Sequence, residues 1–254
     1  MVSDWSNEWQ LSISKQKCFI FEVKKDNVHF DNSFIYKLGA DDLNCTDTVL
    51  DLGVTIDSHL DFYDHIAVIT RKAHQRANLI LRCFLSRETV SLVKAFTVYV
   101  RPLLEFNSSI WSPRFIQDID CVEVVQRRFT KRLPGLSNLS YLARLKKLNL
   151  ESLELRRIKA DLIFMYKIMF NLVDIAVDDM FTLNVSRNER TLRAHSYQVM
   201  QNVKISSHRL AFFSNRIVPV WNSLPATTNL ASLALFKRSI CCNYLIKYCK
   251  VNFN

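Results

Sequence analysis

Residues 118–136 read Asp-Ile-Asp-Cys-Val-Glu-Val-Val-Gln-Arg-Arg-Phe-Thr-Lys-Arg-Leu-Pro-Gly-Leu. Val122, Val125, Phe129 and Leu133 recur at helical spacing and predict one apolar stripe. Arg127, Arg128 and Lys131 fall on the opposite side, with Arg132 on the flank. Asp118, Asp120 and Glu123 stand near the start, where the helix dipole favours negative charge. Pro134-Gly135 ends the helix. The stretch therefore predicts a helix that buries one side in a core and holds three or four cations out to solvent, where phosphate can meet them.

Helical patterning continues on both sides. From Asp61, the residues Ile66, Ile69, Ala73, Ala77, Ile80 and Phe84 form a stripe, with Arg71, Lys72, Gln75, Arg76 and Arg82 mostly off it. Ser86-Arg87-Glu88-Thr89 fits a cap before Val90–Val100, whose stripe is Leu92, Val93, Phe96 and Val100. Pro102 ends or kinks that helix. Tyr99, Phe106 and Trp111 are read as an aromatic packing cluster rather than a base-stacking platform. Ser140–Leu148 and Leu153–Leu172 predict two more helices, the second carrying Leu155, Leu162, Met165, Tyr166 and Met169. Residues 174–193, with Asp178-Asp179, Arg187, Arg190 and Arg193, read as a polar connection, and 195–209 carries no firm signal. Phe212–Leu224 and Leu233–Lys247 are expected to be the last two helices, the first with Phe213, Ile217 and Val220 or Trp221 inward.

The first sixty residues read differently. A short helix end carries Trp5, Trp9 and Ile13 on one face. Cys18–Val23, the stretches around Phe30, Phe34, Tyr36 and Leu38, and Val49–Asp57 are strand candidates, with Gly53 marking a bulge or close backbone approach. The expected fold is mainly α, a helical bundle with a small antiparallel β portion near the N-terminus. The expected segments are 1–60, 61–180 and 181–254.

Composition narrows the function classes. The 254 residues are 49% hydrophobic, with only three glycines and five prolines, which suits long helices and a buried core. Mean hydropathy is near zero (+0.01). The net charge of +10 and pI of about 9.3 favour an acidic partner. The excess is concentrated: residues 114–159 hold eleven Lys/Arg against five Asp/Glu. Seven scattered cysteines, among them a half-buried Cys121, form no C-x-x-C pair, so neither a zinc site nor a disulfide framework is expected. Neither a signal peptide nor a membrane span is expected, and an intracellular setting, nuclear or cytoplasmic, is expected.

The order of residues carries a further signal. Tyr99-Val100-Arg101-Pro102-Leu103-Leu104-Glu105-Phe106, Ile110-Trp111-Ser112-Pro113, Gln126-Arg127-Arg128, Pro134-Gly135-Leu136, Ser140-Tyr141, Arg144-Leu145 and Arg156-Arg157 follow one another. Asp161-Leu162-Ile163, Met165-Tyr166-Lys167, Phe212-Phe213, Arg216-Ile217-Val218 and Trp221-Asn222-Ser223-Leu224-Pro225 continue the series. The succession resembles the region after the catalytic core in reverse transcriptases of non-LTR (LINE-type) retrotransposons, over nearly the whole chain. Trp5-Ser6, Trp9-Gln10-Leu11 and Leu52-Gly53-Val54-Thr55-Ile56-Asp57 resemble the palm segments just after that family's catalytic hairpin. The resemblance implies a palm edge, a helical thumb that grips template–primer, and a segment beyond.

Polymerase chemistry needs paired carboxylates holding two divalent metals. In this family they follow an aromatic-Ala dipeptide. Ala40-Asp41-Asp42 follows Gly39 instead and lies after the segment that the pair should precede, so it is read as a turn. His65 and His74 are read as solvent-facing or hydrogen-bonded helix residues, not metal ligands. No catalytic or metal-binding residue is assigned to this chain. The Mg2+ that the resemblance implies belongs with the intact polymerase, whose core is expected upstream. The nucleic-acid-binding candidates are Arg127, Arg128, Lys131, Arg132, Arg144, Lys146 and Lys147, with RNA or RNA–DNA hybrid as the partner and no membrane. The alternative is a non-catalytic helical scaffold, a retroelement remnant whose basic face meets acidic protein.

Overall fold

The structure, a computed structural model, describes residues 2–23, 35–39, 41–183, 197–201, 206–240 and 242–251. The expectations at Phe30, Phe34, Ala40, Arg187, Arg190, Arg193 and parts of 195–209 lie outside those residues. The fold is mainly α with a small β portion. Contacts divide it into two units, Met1–His65 and Ile66–Asn254.

The first unit opens with α1 (Val2–Glu8). The Trp5 and Trp9 rings lie tilted to each other, centroids 6.5 Å apart, and α1 ends before Trp9 and Ile13, so the three do not share one helix face. Three two-stranded pairs follow. β1 (Ile20–Phe21) runs parallel to β4 (Cys45–Thr46), and β2 (Lys37–Leu38) runs antiparallel to β3 (Asp41–Asp42). Asp41 and Asp42 thus form a short exposed strand rather than the turn expected, and Asp42 pairs with Lys37 at 3.2 Å. Residues 49–57, expected as one strand, form a hairpin of β5 (Thr48–Asp51) and β6 (Val54–Asp57). Its turn is Leu52-Gly53, both at positive φ (43° and 87°), the geometry that matches strand twist in a two-residue loop. Gly53 is therefore a turn residue and not a bulge. Asp57 then caps the approach to the first long helix. Its carboxylate accepts the N–H groups of His59, Asp61 and Phe62 at 3.0, 3.2 and 2.8 Å. Burial acts to raise the Asp57 pKa, but those donors outweigh it and hold the group below its ordinary value.

In the second unit, α2 (Tyr63–Cys83), α3 (Thr89–Tyr99) and α6 (Ile116–Lys131) bring their stripes together. Ile66, Ile69, Ala73, Ala77 and Ile80 are buried, as are Leu92, Phe96, Val122, Val125 and Phe129, while Phe84 is exposed. Phe96 and Phe129 stack at 4.5 Å. The residue preceding α3 is Glu88, whose side chain accepts from the Ser91 hydroxyl, and Ser86 makes no bond to the helix interior. After Val100 the chain restarts as α4 (Arg101–Glu105), with Pro102 in its first turn, then α5 (Ser108–Trp111). Trp111 is buried and donates to the Phe106 carbonyl at 2.7 Å. Tyr99 and Phe106 are more than half exposed, so the expected aromatic cluster does not form.

α7 (Tyr141–Leu148) and α8 (Leu153–Met169) are each capped by a serine: Ser140 accepts from Ala143 N–H and Ser152 from Leu155 N–H. Beyond α9 (Val177–Met180), the expected helix over 212–224 is broken into α11 (Phe213–Arg216) and α12 (Val218–Asn222), preceded by α10 (Ser207–Ala211). Pro219 explains the break, since it has no N–H to continue the ladder. The last helix likewise divides, into α13 (Leu233–Ser239) and α14 (Cys242–Leu245). These short pieces pack Phe213, Ile217, Trp221, Phe236 and Leu245 around the Leu162, Met165 and Tyr166 face of α8.

Candidate nucleic-acid interface

The seven candidate cations do not form one patch. Arg127, Arg128 and Lys131 stand on α6, Arg132 just past its end, and Arg144, Lys146 and Lys147 on α7, and what each meets decides what it can do. α2 and α6 lie side by side and run the same way: Cys121 approaches Thr70 (3.9 Å) and, further along both, Arg132 donates to the Asn78 side chain at 2.6 Å. Cys121 itself is exposed rather than half-buried.

Between the two helices runs a groove of about 570 Å³. Arg71, His74, Gln75 and Asn78 line it from α2, and Arg128, Lys131 and Arg132 from α6 and its end, over a floor that includes Ala77, Leu81, Val125 and Phe129. Among the described residues lining it there are four Lys/Arg and no carboxylate. Arg71, Arg128 and Lys131 are exposed and make no ion pair among the described residues. Burial lowers the His74 pKa below its ordinary value, and the charge of Arg128 lowers it further.

Arg127, one residue from Arg128 and so about 100° round the helix, faces away from this groove. It pairs with Asp120 and lies over the Tyr141 ring, 5.6 Å from its centroid. Lys146 and Lys147 are exposed on α7 but do not line the groove. Lys147 instead borders a smaller recess of about 340 Å³ with Val90, Val93 and Leu148.

Arg144 is buried, 4% exposed, and cannot reach solvent phosphate. Its guanidinium donates to the Thr130 hydroxyl (3.2 Å), the Leu139 carbonyl (2.6 Å) and the Arg127 carbonyl (3.3 Å). It is a clamp on the C-terminal end of α6, where the helix dipole favours a cation. Helical patterning assigns a lone arginine to solvent because its carbonyl partners exist only in the folded chain.

The acidic residues are corrected in the same way. Glu123 is fully buried and does not serve the start of α6. Its carboxylate accepts the Leu153 and Glu154 N–H groups at 3.1 and 3.2 Å, capping α8 from a neighbouring helix. The Tyr141 hydroxyl also donates to it, and Gln126 donates to that hydroxyl at 3.0 Å. Burial and the adjacent Glu123 charge push the Tyr141 phenol far up, which keeps it a neutral donor. Nearby cations are similarly committed: Arg156 to Glu105, Lys159 to Glu151, and Arg216 to Asp161 at 2.9 and 3.1 Å. Against that background the unpaired groove cations stand apart. Sequence reading missed Arg71 and His74 as members of the set, although both lie off the α2 stripe. Only the pairing of α2 with α6 places them opposite Arg128.

Among the described residues no three His, Cys, Asp or Glu side chains gather as a metal site, and no helix is long and apolar enough to cross a membrane. Among known proteins, the chain is similar to uncharacterized protein B0403.1 of Caenorhabditis elegans, with 30% identity over 113 residues. The match covers 43% of this chain and 57% of that protein, so the chain spans little more than half of its length. No protein-family model and no solved structure matches the chain.

Proposed function

We propose that this chain is the C-terminal part of a non-LTR retrotransposon reverse transcriptase, and that its helical unit holds RNA or RNA–DNA hybrid by the phosphates. The observation that carries the reading is the α2–α6 groove, with four Lys/Arg, a histidine and no carboxylate among its described lining residues. Cations that face solvent without an acidic partner attract a polyanion whatever its sequence. The ordered residues that resemble the family's thumb region include Gln126-Arg127-Arg128, of which Arg128 lines that groove. On this reading the protein works inside the cell, and the metal-holding carboxylates and their Mg2+ belong to the parent polymerase.

Two measurements test it. The chain is mixed with a labelled RNA–DNA hybrid, and binding is compared with a variant carrying R128E and K131E. Loss of binding together with a shallower salt dependence supports the reading. Binding that is weak at physiological salt from the outset favours the scaffold alternative, in which the basic face meets acidic protein. Deoxynucleotide incorporation on a primed RNA template is expected to be absent, and metal-dependent extension by the chain would refute the assignment of chemistry elsewhere.

A further inference from the structure

His74 is one of the residues that line the groove, and its own contribution there differs from that of the permanent cations. The charged groups that share the groove with it are Arg71 from its own helix, Arg128 and Lys131 from α6, and Arg132 just past the end of α6, and the charge of Arg128 acts on it directly. Gln75 and Asn78 are the neutral polar neighbours, and no other element contributes a described lining residue. Every charged residue that lines the groove with His74 is therefore positive. A proton on His74 adds a fifth cation to a crowded set, which the empty groove disfavours. An anion seated there reverses the balance, because the same proton then lies beside negative charge.

We propose that His74 is a proton-linked contact for phosphate-type anions: an anion docking in the α2–α6 groove draws a solvent proton onto the imidazole, and the groove grips a polyanion more tightly as pH falls. This rests on the phosphate-binding reading and deepens it by naming the residue that couples binding to pH. The coupling is reciprocal. Whatever factor the anion adds to proton affinity at His74, the proton adds to anion affinity. Imidazole suits the task because it is the side chain whose charge changes near neutral pH. A phosphodiester does not titrate in that range, so the pH dependence reports the protein. The four permanent cations provide binding at all pH values, and His74 modulates it.

The test uses the full chain with two probes, a fluorescent single-stranded RNA oligonucleotide and inorganic sulfate. RNA affinity is measured from pH 5.5 to 8 for the natural chain, for H74Q and for H74K, with thermal melts confirming that each variant folds. The His74 ring is followed by NMR through the same pH range with and without sulfate, its resonance assigned by its loss in H74Q. The natural chain is expected to bind RNA roughly three- to tenfold more tightly at the acid end. H74Q should lose that gain and show a flat pH profile, and H74K should bind tightly throughout. Sulfate should move the imidazole midpoint upward. If sulfate moves the midpoint but RNA does not bind at any pH, the proton-linked anion site stands and the nucleic-acid reading falls. An unchanged pH profile in H74Q, or an imidazole midpoint that ignores sulfate, overturns the proposal.

Discussion

Arg128 and Arg144 have the same side chain and were read alike from sequence, but they meet different surroundings. Arg128 faces solvent on the groove wall with no ion pair, whereas Arg144 is buried and satisfies two carbonyls and a hydroxyl. Removing Arg128 leaves nothing buried without a partner. Removing Arg144 takes a charged donor from the Thr130 hydroxyl and the Arg127 carbonyl at the end of α6 and from the Leu139 carbonyl beyond it, and hydrogen bonds involving a charged group contribute more than neutral ones. R128A should therefore change unfolding stability by no more than about 0.5 kcal/mol while weakening RNA binding. R144A should cost about 2–3 kcal/mol, and R144K should rescue only part of it, because an ammonium cannot reproduce the planar fork. Urea unfolding alongside RNA titration checks both. Equal stability loss in the two variants would remove the distinction drawn between clamp and groove cation.

At the scale of elements, the apolar stripes were legible and the joints between helices were not. Val122, Val125, Phe129 and Leu133 repeat every three or four residues, and all four are buried. The division of 212–224 was also written in the chain, since Pro219 cannot donate within a continuous helix. The break after Ser239 has no such mark. Ile240 leaves helical geometry (φ −74°, ψ 86°) and is itself buried, a choice made by the core. Least legible was Glu123, because a carboxylate in the first half of a helix ordinarily serves that helix's own dipole. Here it caps α8, thirty residues away, and fixes where α6 and α8 meet. The buried Arg157 guanidinium faces its charge from α8 as well. E123A removes the acceptor of two helix N–H groups and a neighbour of a buried cation, so a loss of about 3–5 kcal/mol is expected. E123Q keeps one acceptor oxygen and should lose less. Denaturant midpoints of the two variants decide it, and a near-neutral E123A would mean that other groups hold the start of α8.

Across the described residues the lysines and arginines include two populations. One is spent internally, in the pairs Arg127–Asp120, Arg156–Glu105, Lys159–Glu151 and Arg216–Asp161, most of them half-buried or better. The other stays at the surface without acidic partners, as Arg71, Arg128 and Lys131 do in the groove and Lys146 and Lys147 do on α7. Salt acts on these populations differently. Partly buried pairs are weakly screened, whereas contacts to a polyanion release condensed counterions and weaken steadily as salt rises. RNA affinity should therefore fall along a straight line in log–log coordinates, by about 0.7 in slope for each single-strand phosphate neutralised. The unfolding midpoint should move little over the same salt range. Neutralising Arg71, Arg128 and Lys131 together should flatten the line by about two, and neutralising Lys146 and Lys147 should flatten it less, because neither lines the groove. An equal effect from the α7 lysines would move the phosphate path off the α2–α6 groove and onto α7.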